Sequence, residues 1–382
     1  RYVTDMRYRS RLHIDLNLLA ENILELRSFA SSKILFMVKA DGYGHGAVPL
    51  VRFTYEELGI TEFGCATLGE AMQLREELPD LKFEVYVFSD VQLEDEELAE
   101  VYLHHRIIPV LSSFDSLNIF LKNPDFRHFP LCLKFNTGMN RLGLDSQKLD
   151  QVIELLKKSG RMSLYHIMTH FSCGSLPMKK NKRNLYQISE FKRIKEELAL
   201  AGFEIERTSI SNSGAIEQKV GLDETHIRPG LMLYGPSSLL PQYRELSCWK
   251  GKIISSLETY IIDVFKAERG MPIGYGASTC PDNGLVAIIA LGYGDGLFTG
   301  FKGVELCHKK KHCKVFGRVN MDMTQVFFKG ANSDQAVAGE AFVIWDHDAK
   351  KFEKICEQTK LIPYELFCQL TSRVPRVYSL SE

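Results

Sequence analysis

Short apolar runs alternate with amphipathic stretches through the first two thirds of the chain. In Tyr186–Ala201 apolar side chains recur every three or four residues, which predicts a helix with one buried face. Leu68–Leu78 and Gln147–Lys158 are also amphipathic stretches. Eight apolar runs predict buried strands: Ile34–Ala40, Phe63–Thr67, Glu84–Ser89, Ile107–Leu111, Leu131–Asn136, Ser163–Phe171, Thr208–Asn212 and Ile227–Tyr234. Strands that alternate with helices in this way are typical of a parallel sheet.

The number of predicted strands favours one of two parallel architectures. Eight strands with crossover helices in about 230 residues match the size of a (β/α)8 TIM-type barrel, an α/β fold. An open, doubly wound sheet is the alternative, because it is built from the same units. We predict the barrel and place it at residues 10–243.

The pattern changes after about residue 245, where glycine-bearing turns separate β-rich runs. The runs are Lys252–Asp263, Leu285–Leu291, Lys314–Arg318, Thr324–Phe328 and Ala341–Ile344, and only Lys351–Gln358 and Tyr364–Ser372 look helical. Strands joined by tight turns are typical of an antiparallel sheet. We therefore predict a C-terminal, mainly antiparallel β domain at residues 244–382, with residues 1–9 packing on it.

Composition and charge argue against several classes of protein. The net charge is −1, with acids and bases spread along the chain, so we expect no nucleic-acid or membrane partner. No apolar run approaches the roughly 20 residues that a membrane-spanning helix needs. The first five residues offer no apolar stretch for a signal peptide, and the nine scattered cysteines are an odd number. These features predict a cytoplasmic protein with reduced thiols.

Lys39 is the first candidate catalytic residue. It ends a predicted apolar strand and precedes Gly42, Gly44 and Gly46, whose backbone can approach a ligand closely. Catalytic side chains of a barrel lie at the carboxyl ends of its strands. A lysine desolvated there has a lowered pKa, which Schiff-base chemistry needs. The alternative is a lysine that extends from the strand end into solvent.

Further candidates lie at the ends of the later predicted strands. Arg141 could clamp a carboxylate and His170 could stack on an aromatic ligand, although a surface arginine and a core histidine explain each residue equally well alone. Asn212, Ser213 and Arg228 belong to the seventh and eighth strand ends, where barrels usually bind phosphate. All these groups lie at the carboxyl ends of predicted strands, which form one rim of a barrel. The sequence therefore predicts an active site at that rim.

Three clusters stand out in the second domain. Tyr275 lies between Gly274 and Gly276, a context that presents a phenol rather than packing it, although an ordinary turn is the alternative. The clusters around Tyr293 and Met321 also have the composition of tight turns.

The segment Cys307–Cys313 invites a zinc interpretation, because its two Cys-His pairs supply four ligand types. Three lysines between these pairs repel a cation, and the spacing matches no standard zinc motif. We predict a charged hairpin tip and no metal site.

The chain resembles the bacterial alanine racemases, because several separate sequence motifs match that family in the same order. The resemblance extends from Ile14-Asp15-Leu16 to Arg373-Val374-Pro375-Arg376. The resemblance implies a fold-type III enzyme whose cofactor, pyridoxal 5′-phosphate (PLP), is carried by Lys39. It implies a two-base racemisation of alanine in which Tyr275, from the other subunit of a head-to-tail homodimer with shared active sites, opposes Lys39. D-alanine made in this way would supply peptidoglycan for the cell wall.

The resemblance also implies roles for other residues. Arg141 would bind the substrate carboxylate, and Lys134, which is carbamylated in many members, would brace it. Arg228 would face the pyridine nitrogen of the cofactor. The resemblance implies contacts to the cofactor by Tyr43, His170, Asn212, Ser213, Gly230, Leu231 and Tyr364. It implies positions on the substrate side for Tyr293, Met321 and Asp322.

Departures from the family pattern leave alternatives open. Asp41-Gly42, Asn136 and Ser172-Cys173-Gly174-Ser175 stand where the family usually has other residues, although none of them replaces a proposed catalytic group. The alternatives are a racemase of broader specificity, a barrel decarboxylase acting on ornithine, lysine or diaminopimelate, and a non-catalytic PLP carrier.

Overall fold

The computed structural model describes residues 7–89 and 92–380, and most of their strands fall into two large sheets. In the first part of the chain the strands are β1 Arg11–Asp15, β2 Lys33–Met37, β3 Glu62–Cys65, β4 Glu84–Val87, β5 Ile107–Leu111, β6 Cys132–Asn136, β7 Leu144–Asp145, β8 Ser163–Leu164, β9 His166–Met168, β10 Glu204–Ile205, β11 Thr208–Ser209 and β12 His226–Ile227. In the second part they are β13 Ser255–Ala267, β14 Pro272–Ile273, β15 Ser278–Thr279, β16 Gly284–Ile289, β17 Glu305–His308, β18 Lys311–Phe316, β19 Thr324–Lys329, β20 Ala341–Trp345 and β21 Arg376–Ser379.

Helices cover the barrel and one part of the second sheet. They are α1 Leu16–Phe29, α2 Lys39–Tyr43 (a single turn), α3 Ala47–Leu58, α4 Leu68–Glu77, α5 Glu96–His104, α6 Phe114–Lys122, α7 Leu149–Ser159, α8 Lys182–Leu200, α9 Ser213–Glu217, α10 Ala349–Thr359 and α11 Pro363–Cys368. Short polar side chains start several of them: Asp15 caps α1, and Thr67 and Glu70 form a reciprocal capping box at α4. Among the described residues no helix is both long and apolar enough to cross a membrane.

The first sheet is a nearly closed barrel of eight parallel strands. Their order is β12-β2-β3-β4-β5-β6-β9-β11. Between β11 and β12 the backbone N–H of Arg228 donates to the Ser211 carbonyl at 3.0 Å, which brings the two end strands together. The strands are almost wholly buried, because helices cover the barrel outside. The predicted barrel is confirmed.

Several predicted barrel strands differ in detail from the structure; the first, predicted to reach Ala40, ends at Met37. The eighth was predicted to run from Ile227 to Tyr234, but β12 ends at Ile227 and a 3-10 helix occupies Leu231–Tyr234. Pro229 lacks the N–H that would continue the ladder. The sixth is divided, because β8 pairs with β10 outside the barrel and only β9 lies within it.

The second sheet is mainly antiparallel, as predicted. Its order is β17-β18-β19-β16-β13-β1-β21, with β20 also paired to β13. The parallel pair β1–β21 is the exception. The long strand β13 pairs with β1, β16 and β20 along its length, so it connects most of the sheet.

The start of the chain joins this second sheet. Strand β1 pairs with β13 and β21, although the barrel was predicted to begin at residue 10. The Arg9 carbonyl accepts a hydrogen bond from Thr259, and its guanidinium lies 3.4 Å from the Asp295 carboxylate. Residues 1–6 of the segment predicted to pack on this domain lie outside the described residues.

Two local predictions in the second domain can be compared with the structure. The segment Cys307–Cys313 forms the β17–β18 hairpin, whose tip residues Lys309 and Lys310 both have positive φ, so the charged hairpin tip is confirmed. The helix predicted to reach Ser372 ends at Cys368. Arg376 donates to the carbonyls of Leu370, Thr371 and Val374, which satisfies the backbone beyond the helix.

A charged cluster fills the barrel where its strands begin. Arg207 contacts the Glu62 carboxylate, lies 2.7 Å from Glu84 and donates to the Tyr86 hydroxyl at 3.1 Å. His226 Nε2 lies 2.9 Å from Glu62 on its other side. Because Glu62 is 5% exposed, its charge depends on these partners.

Replacing Arg207 with Met should leave the buried Glu62 carboxylate without its cation. We expect a loss of about 3–5 kcal/mol in the free energy of unfolding, measured by urea denaturation. Arg52→Met, which breaks the exposed pairs with Glu56 and Asp80, is the matched control and should lose far less. Equal losses in the two variants would show that the cluster contributes nothing beyond a surface ion pair.

Candidate active site

A cavity of about 370 Å³ opens at the carboxyl ends of the barrel strands. It lies where barrel enzymes assemble their active sites. Its lining residues are Met37, Lys39, Tyr43, Phe88, Ser89, Lys134, Arg141, Leu142, His170, Asn212, Ser213, Arg228, Gly230, Leu231 and Tyr364. The structure thus brings together the ten residues that the sequence assigned to the barrel part of the site, and Tyr364 of the second domain.

The cavity is strongly cationic. Lys39, Lys134, Arg141 and Arg228 line it, and none of the described lining residues is acidic. Like charges this close raise one another's energy unless an anion offsets them. The lining is therefore suited to a ligand that carries several negative charges.

Lys39 lies two residues beyond β2 and is partly buried. Burial lowers the pKa of its ammonium group, and the positive charge of Arg141 lowers it further, although Glu70 and Cys368 act in the opposite direction. A lowered pKa increases the fraction of free amine, which is the nucleophilic form.

Lys134, in β6, is 5% exposed and faces the same cavity. Burial, followed by the charges of Arg228, Arg141 and Lys39, lowers its pKa to about 7. Arg141 lies on the exposed loop after β6, and no acidic residue in the described chain forms an ion pair with it. Arg141 is therefore placed to bind an external carboxylate.

Arg228 is buried at the base of the cavity, and its hydrogen bonds hold it there. It donates to the Ser209 hydroxyl, to the Thr169 carbonyl at 2.5 Å and to Nδ1 of His170 at 3.4 Å. Burial lowers its pKa to about 10, so the group is still charged at neutral pH. Burial and the nearby Arg228 charge hold the pKa of His170 well below its usual range, which leaves a neutral ring.

Three hydroxyl groups, from Ser213, Tyr43 and Tyr364, also line the cavity and form its hydroxyl end. The Ser213 hydroxyl accepts from the amides of Gly230 and Met232 at 3.1 and 3.2 Å. A side chain at Gly230 would come within 2.2 Å of the Tyr43 hydroxyl, so only glycine fits. Burial raises the pKa of Tyr43, and raises that of Tyr364 to about 12, so both phenols stay protonated and can donate to an anion.

Four expected residues of the second domain lie outside this cavity. Tyr275 and Tyr293 line a separate cavity of about 570 Å³, and the neighbouring Met321 and Asp322 belong to the same region. Tyr275 is 69% exposed at the tip of the β14–β15 hairpin, between Gly274 and Gly276 at φ 64° and 78°. The phenol therefore does not reach Lys39 within one chain.

Comparison with known proteins identifies the family. The model of the alanine racemase N-terminal domain matches residues 14–238, and that of the C-terminal domain matches residues 254–378. The alanine racemase of Hahella chejuensis is 32% identical over 97% of this chain and 97% of its own length. That of Nitrosococcus oceani is 30% identical over 95% of this chain and 97% of its own length. The chain belongs to the alanine racemase family.

Solved alanine racemases have the same fold. The structure of the Acinetobacter baumannii protein superimposes with a TM-score of 0.82 at 26% identity, over 97% of this chain and 100% of its own. The Bartonella henselae alanine racemase, described with covalently bound pyridoxal phosphate, gives a TM-score of 0.81 at 24% identity, over 97% of this chain and 99% of its own. The barrel followed by an antiparallel β domain is thus the alanine racemase fold.

Several residues around the site were not singled out in the sequence. Met37, Phe88, Ser89 and Leu142 also line the cavity, but nothing in their local sequence distinguishes them from other strand-end residues. Glu70 has a local signal, because it is the fourth residue of the capping box that begins at Thr67. Its carboxylate also reaches the backbone next to Lys39.

Lys134→Met should stabilise the protein most at low pH. The pKa of Lys134 is about 7 in the folded protein and 10.5 in the unfolded chain. The buried ammonium is therefore fully destabilising below pH 7. Between pH 7 and 10.5 the unfolded state binds more protons than the folded state, so the destabilisation fades as the pH rises. We expect the gain in Tm to be clear near pH 6 and small near pH 9.5, in CO2-free buffer. The exposed Lys148→Met controls for loss of a surface charge. A gain that grows with pH would refute the buried-ammonium interpretation.

Proposed function

We propose that this chain interconverts L-alanine and D-alanine with PLP bound at Lys39, and so supplies D-alanine for peptidoglycan. The family match supports racemisation of an amino acid. We assign the reaction to this cavity because four cations line it and none of the described lining residues is acidic. One of the four is Lys39, whose pKa is lowered.

The residues present fit PLP. Its phosphate suits the hydroxyl end, with donors from Ser213, Tyr43 and Tyr364, and with Asn212, Gly230 and Leu231 alongside. Its ring would lie against His170, and Arg228 would face the ring nitrogen. Arg228 remains protonated at neutral pH, so it would donate to that nitrogen rather than transfer a proton to it.

The chemistry divides between cofactor and protein. When bound, PLP supplies a conjugated ring that accepts the electron pair left when the α-proton of the amino acid is removed. Arg141 would bind the substrate carboxylate and orient the α-carbon. The Lys39 amine would then remove or return the α-proton on one side of that carbon. Inversion needs a second acid–base group on the other side.

Tyr275 is the proposed second group, provided by another copy of the chain. It stands exposed on a hairpin tip, and in its own chain it does not enter the cavity. A head-to-tail homodimer would bring this hairpin over the cavity of the partner, with Tyr293, Met321 and Asp322 forming the access side. We therefore propose a dimer with two shared active sites.

Lys134 has a proposed role beside Arg141. An amine with a pKa of about 7 is substantially neutral under physiological conditions and can add to CO2, forming an N–C bond and releasing a proton. The resulting carbamate would replace a cation with an anion next to Arg141 and hold the guanidinium in place.

Lys39→Ala should abolish covalent PLP binding and turnover. Proton NMR of L-alanine in D2O should show the α-proton signal disappearing with the wild-type protein and PLP, and persisting with the variant. The wild-type protein should form a borohydride-reducible bond to PLP at the peptide that contains Lys39, and the variant should not. Loss of CO2 from alanine or from a basic amino acid would instead indicate a decarboxylase, and retention of PLP without exchange a carrier.

Mixing two inactive variants tests whether the site is shared. Lys39→Ala and Tyr275→Phe should each be strongly impaired, but a mixed dimer contains one cavity with both groups intact. After dissociation and reassociation of equal amounts, about a quarter of the wild-type activity should return, because half of the dimers are mixed and each has one working site. A mixture no more active than its components would place both groups on one chain or remove Tyr275 from the reaction.

A further inference from the structure

The backbone that follows Lys39 forms one turn of left-handed helix. Ala40, Asp41, Gly42 and Tyr43 have φ values of 52°, 51°, 62° and 53°. Backbone bonds close the turn, from Gly42 N–H to the Val38 carbonyl at 2.8 Å and from Gly44 N–H to the Ala40 carbonyl at 2.9 Å. Three of these four residues carry a side chain, which disfavours this conformation, so surrounding contacts must hold it.

Glu70 is the acidic residue that makes such a contact. One carboxylate oxygen, Oε2, accepts from the Ala40 backbone N–H at 2.5 Å. The other oxygen, Oε1, accepts from the backbone N–H groups of Ala66 and Thr67, each at 3.0 Å. The carboxylate thus joins the start of the left-handed turn to the end of β3 and the start of α4.

The far side of the turn is held by the second domain. Arg376 Nε donates to the Gly44 carbonyl at 2.8 Å, and the Tyr378 hydroxyl donates to the His45 carbonyl at 2.7 Å. A side chain at Gly44 would come within 2.4 Å of the Phe367 carbonyl, so α11 also abuts this backbone. These contacts hold the end of the turn, whereas Glu70 holds its beginning, next to Lys39.

We propose that Glu70 is a positioning residue for Lys39: its carboxylate clamps the Ala40 N–H and thereby keeps the left-handed turn that aims the lysine into the cavity. This inference rests on the proposed function, since it concerns the lysine that would carry PLP. Without the clamp, Ala40 and Asp41 can relax toward the right-handed or extended conformations that their side chains favour. Because Lys39 is the preceding residue, its side chain would then change direction.

The charge of Glu70 acts on Lys39 as well. It raises the pKa of the Lys39 ammonium group, against the lowering by burial and by Arg141. The clamp therefore influences both the direction and the protonation of the same amine.

Glu70→Gln is the test variant. An amide has one acceptor oxygen, and two of the three backbone donors, together with the Thr67 hydroxyl, face Oε1. The NH2 group would therefore be left against the Ala40 N–H. Deuterium exchange followed by mass spectrometry, on the full-length protein with and without PLP, reports backbone opening. Exchange in peptides covering residues 39–44 should accelerate on the order of tenfold, because a charged hydrogen-bond acceptor is lost. Wild-type exchange there would overturn the proposal.

Two matched variants separate the clamp from helix capping and from charge loss. Thr67→Ala removes the hydroxyl that caps α4 but keeps all three backbone donors to Glu70. It should accelerate exchange in residues 68–71 and leave residues 39–44 unchanged. Glu76→Gln removes an exposed charge from the same helix and should change neither region. If Thr67→Ala loosened the turn as much as Glu70→Gln, Glu70 would be acting only through the helix.

Ala40→Gly provides a rescue that a purely structural role would not predict. Glycine adopts positive φ without a side-chain penalty and keeps the N–H group. Covalent capture of PLP, followed as reducible label on the Lys39 peptide, should be slowed about tenfold in Glu70→Gln and substantially restored in Glu70→Gln with Ala40→Gly. A double variant no faster than Glu70→Gln would contradict the strain argument. Should Glu70→Gln not fold, the same pair is made with Glu70→Asp, whose shorter side chain cannot span both sets of donors.

The clamp and the proposed function can fail separately. If residues 39–44 loosen in Glu70→Gln but no variant, including the wild type, captures PLP, the clamp stands and the function is wrong. If the wild type captures PLP and racemises alanine while Glu70→Gln retains wild-type exchange and capture, the function stands and the clamp is wrong.

Discussion

The grouping of four cations around one cavity is the constraint on which the rest of the site depends. Lys39, Lys134, Arg141 and Arg228 repel one another, and the described lining offers no carboxylate to offset them. Burial, followed by the neighbouring positive charges, lowers the pKa values of both lysines, so loss of their protons relieves part of that repulsion. Arg228 lowers its energy by donating to Ser209, Thr169 and His170 instead. A dianionic phosphate and a substrate carboxylate would offset the remaining charge.

The second domain is required to build this cavity, although most of the lining comes from the barrel. Tyr364 reaches the hydroxyl end from α11, and Arg376 and Tyr378 bind the loop that follows Lys39. Strand β21, which carries both of these residues, pairs with β1 directly before the first barrel helix. The first and last strands therefore meet beside the turn that follows Lys39, and the barrel alone would lack the contacts that shape this turn.

The sequence predicted the parts of the fold that local patterns encode. Ile107–Leu111 was predicted to the residue, because a parallel strand buried on both faces is apolar throughout. Arg11–Asp15 and Arg376–Ser379 were not found, because each is short and neither is apolar throughout. Their pairing also joins segments more than 350 residues apart. The role of Glu70 could not be predicted either. Its capping box was readable, but the left-handed turn it reaches depends on contacts from both domains.

The separation of Lys39 and Tyr275 within one chain is consistent with the proposed two-base racemisation. L- and D-alanine have equal free energies in water, so a catalyst must handle protons on both sides of the α-carbon. The active site of a barrel is open on one side, and the residues at the strand ends contact the ligand from the other side. A second acid–base group must reach the α-carbon from the open side, where a second molecule can place it. In the proposed dimer, the phenol of Tyr275 would leave solvent and enter the partner's cationic cavity from its open side, opposite Lys39. Each barrel would thus hold the cofactor and one acid–base group, and the partner subunit would supply the other.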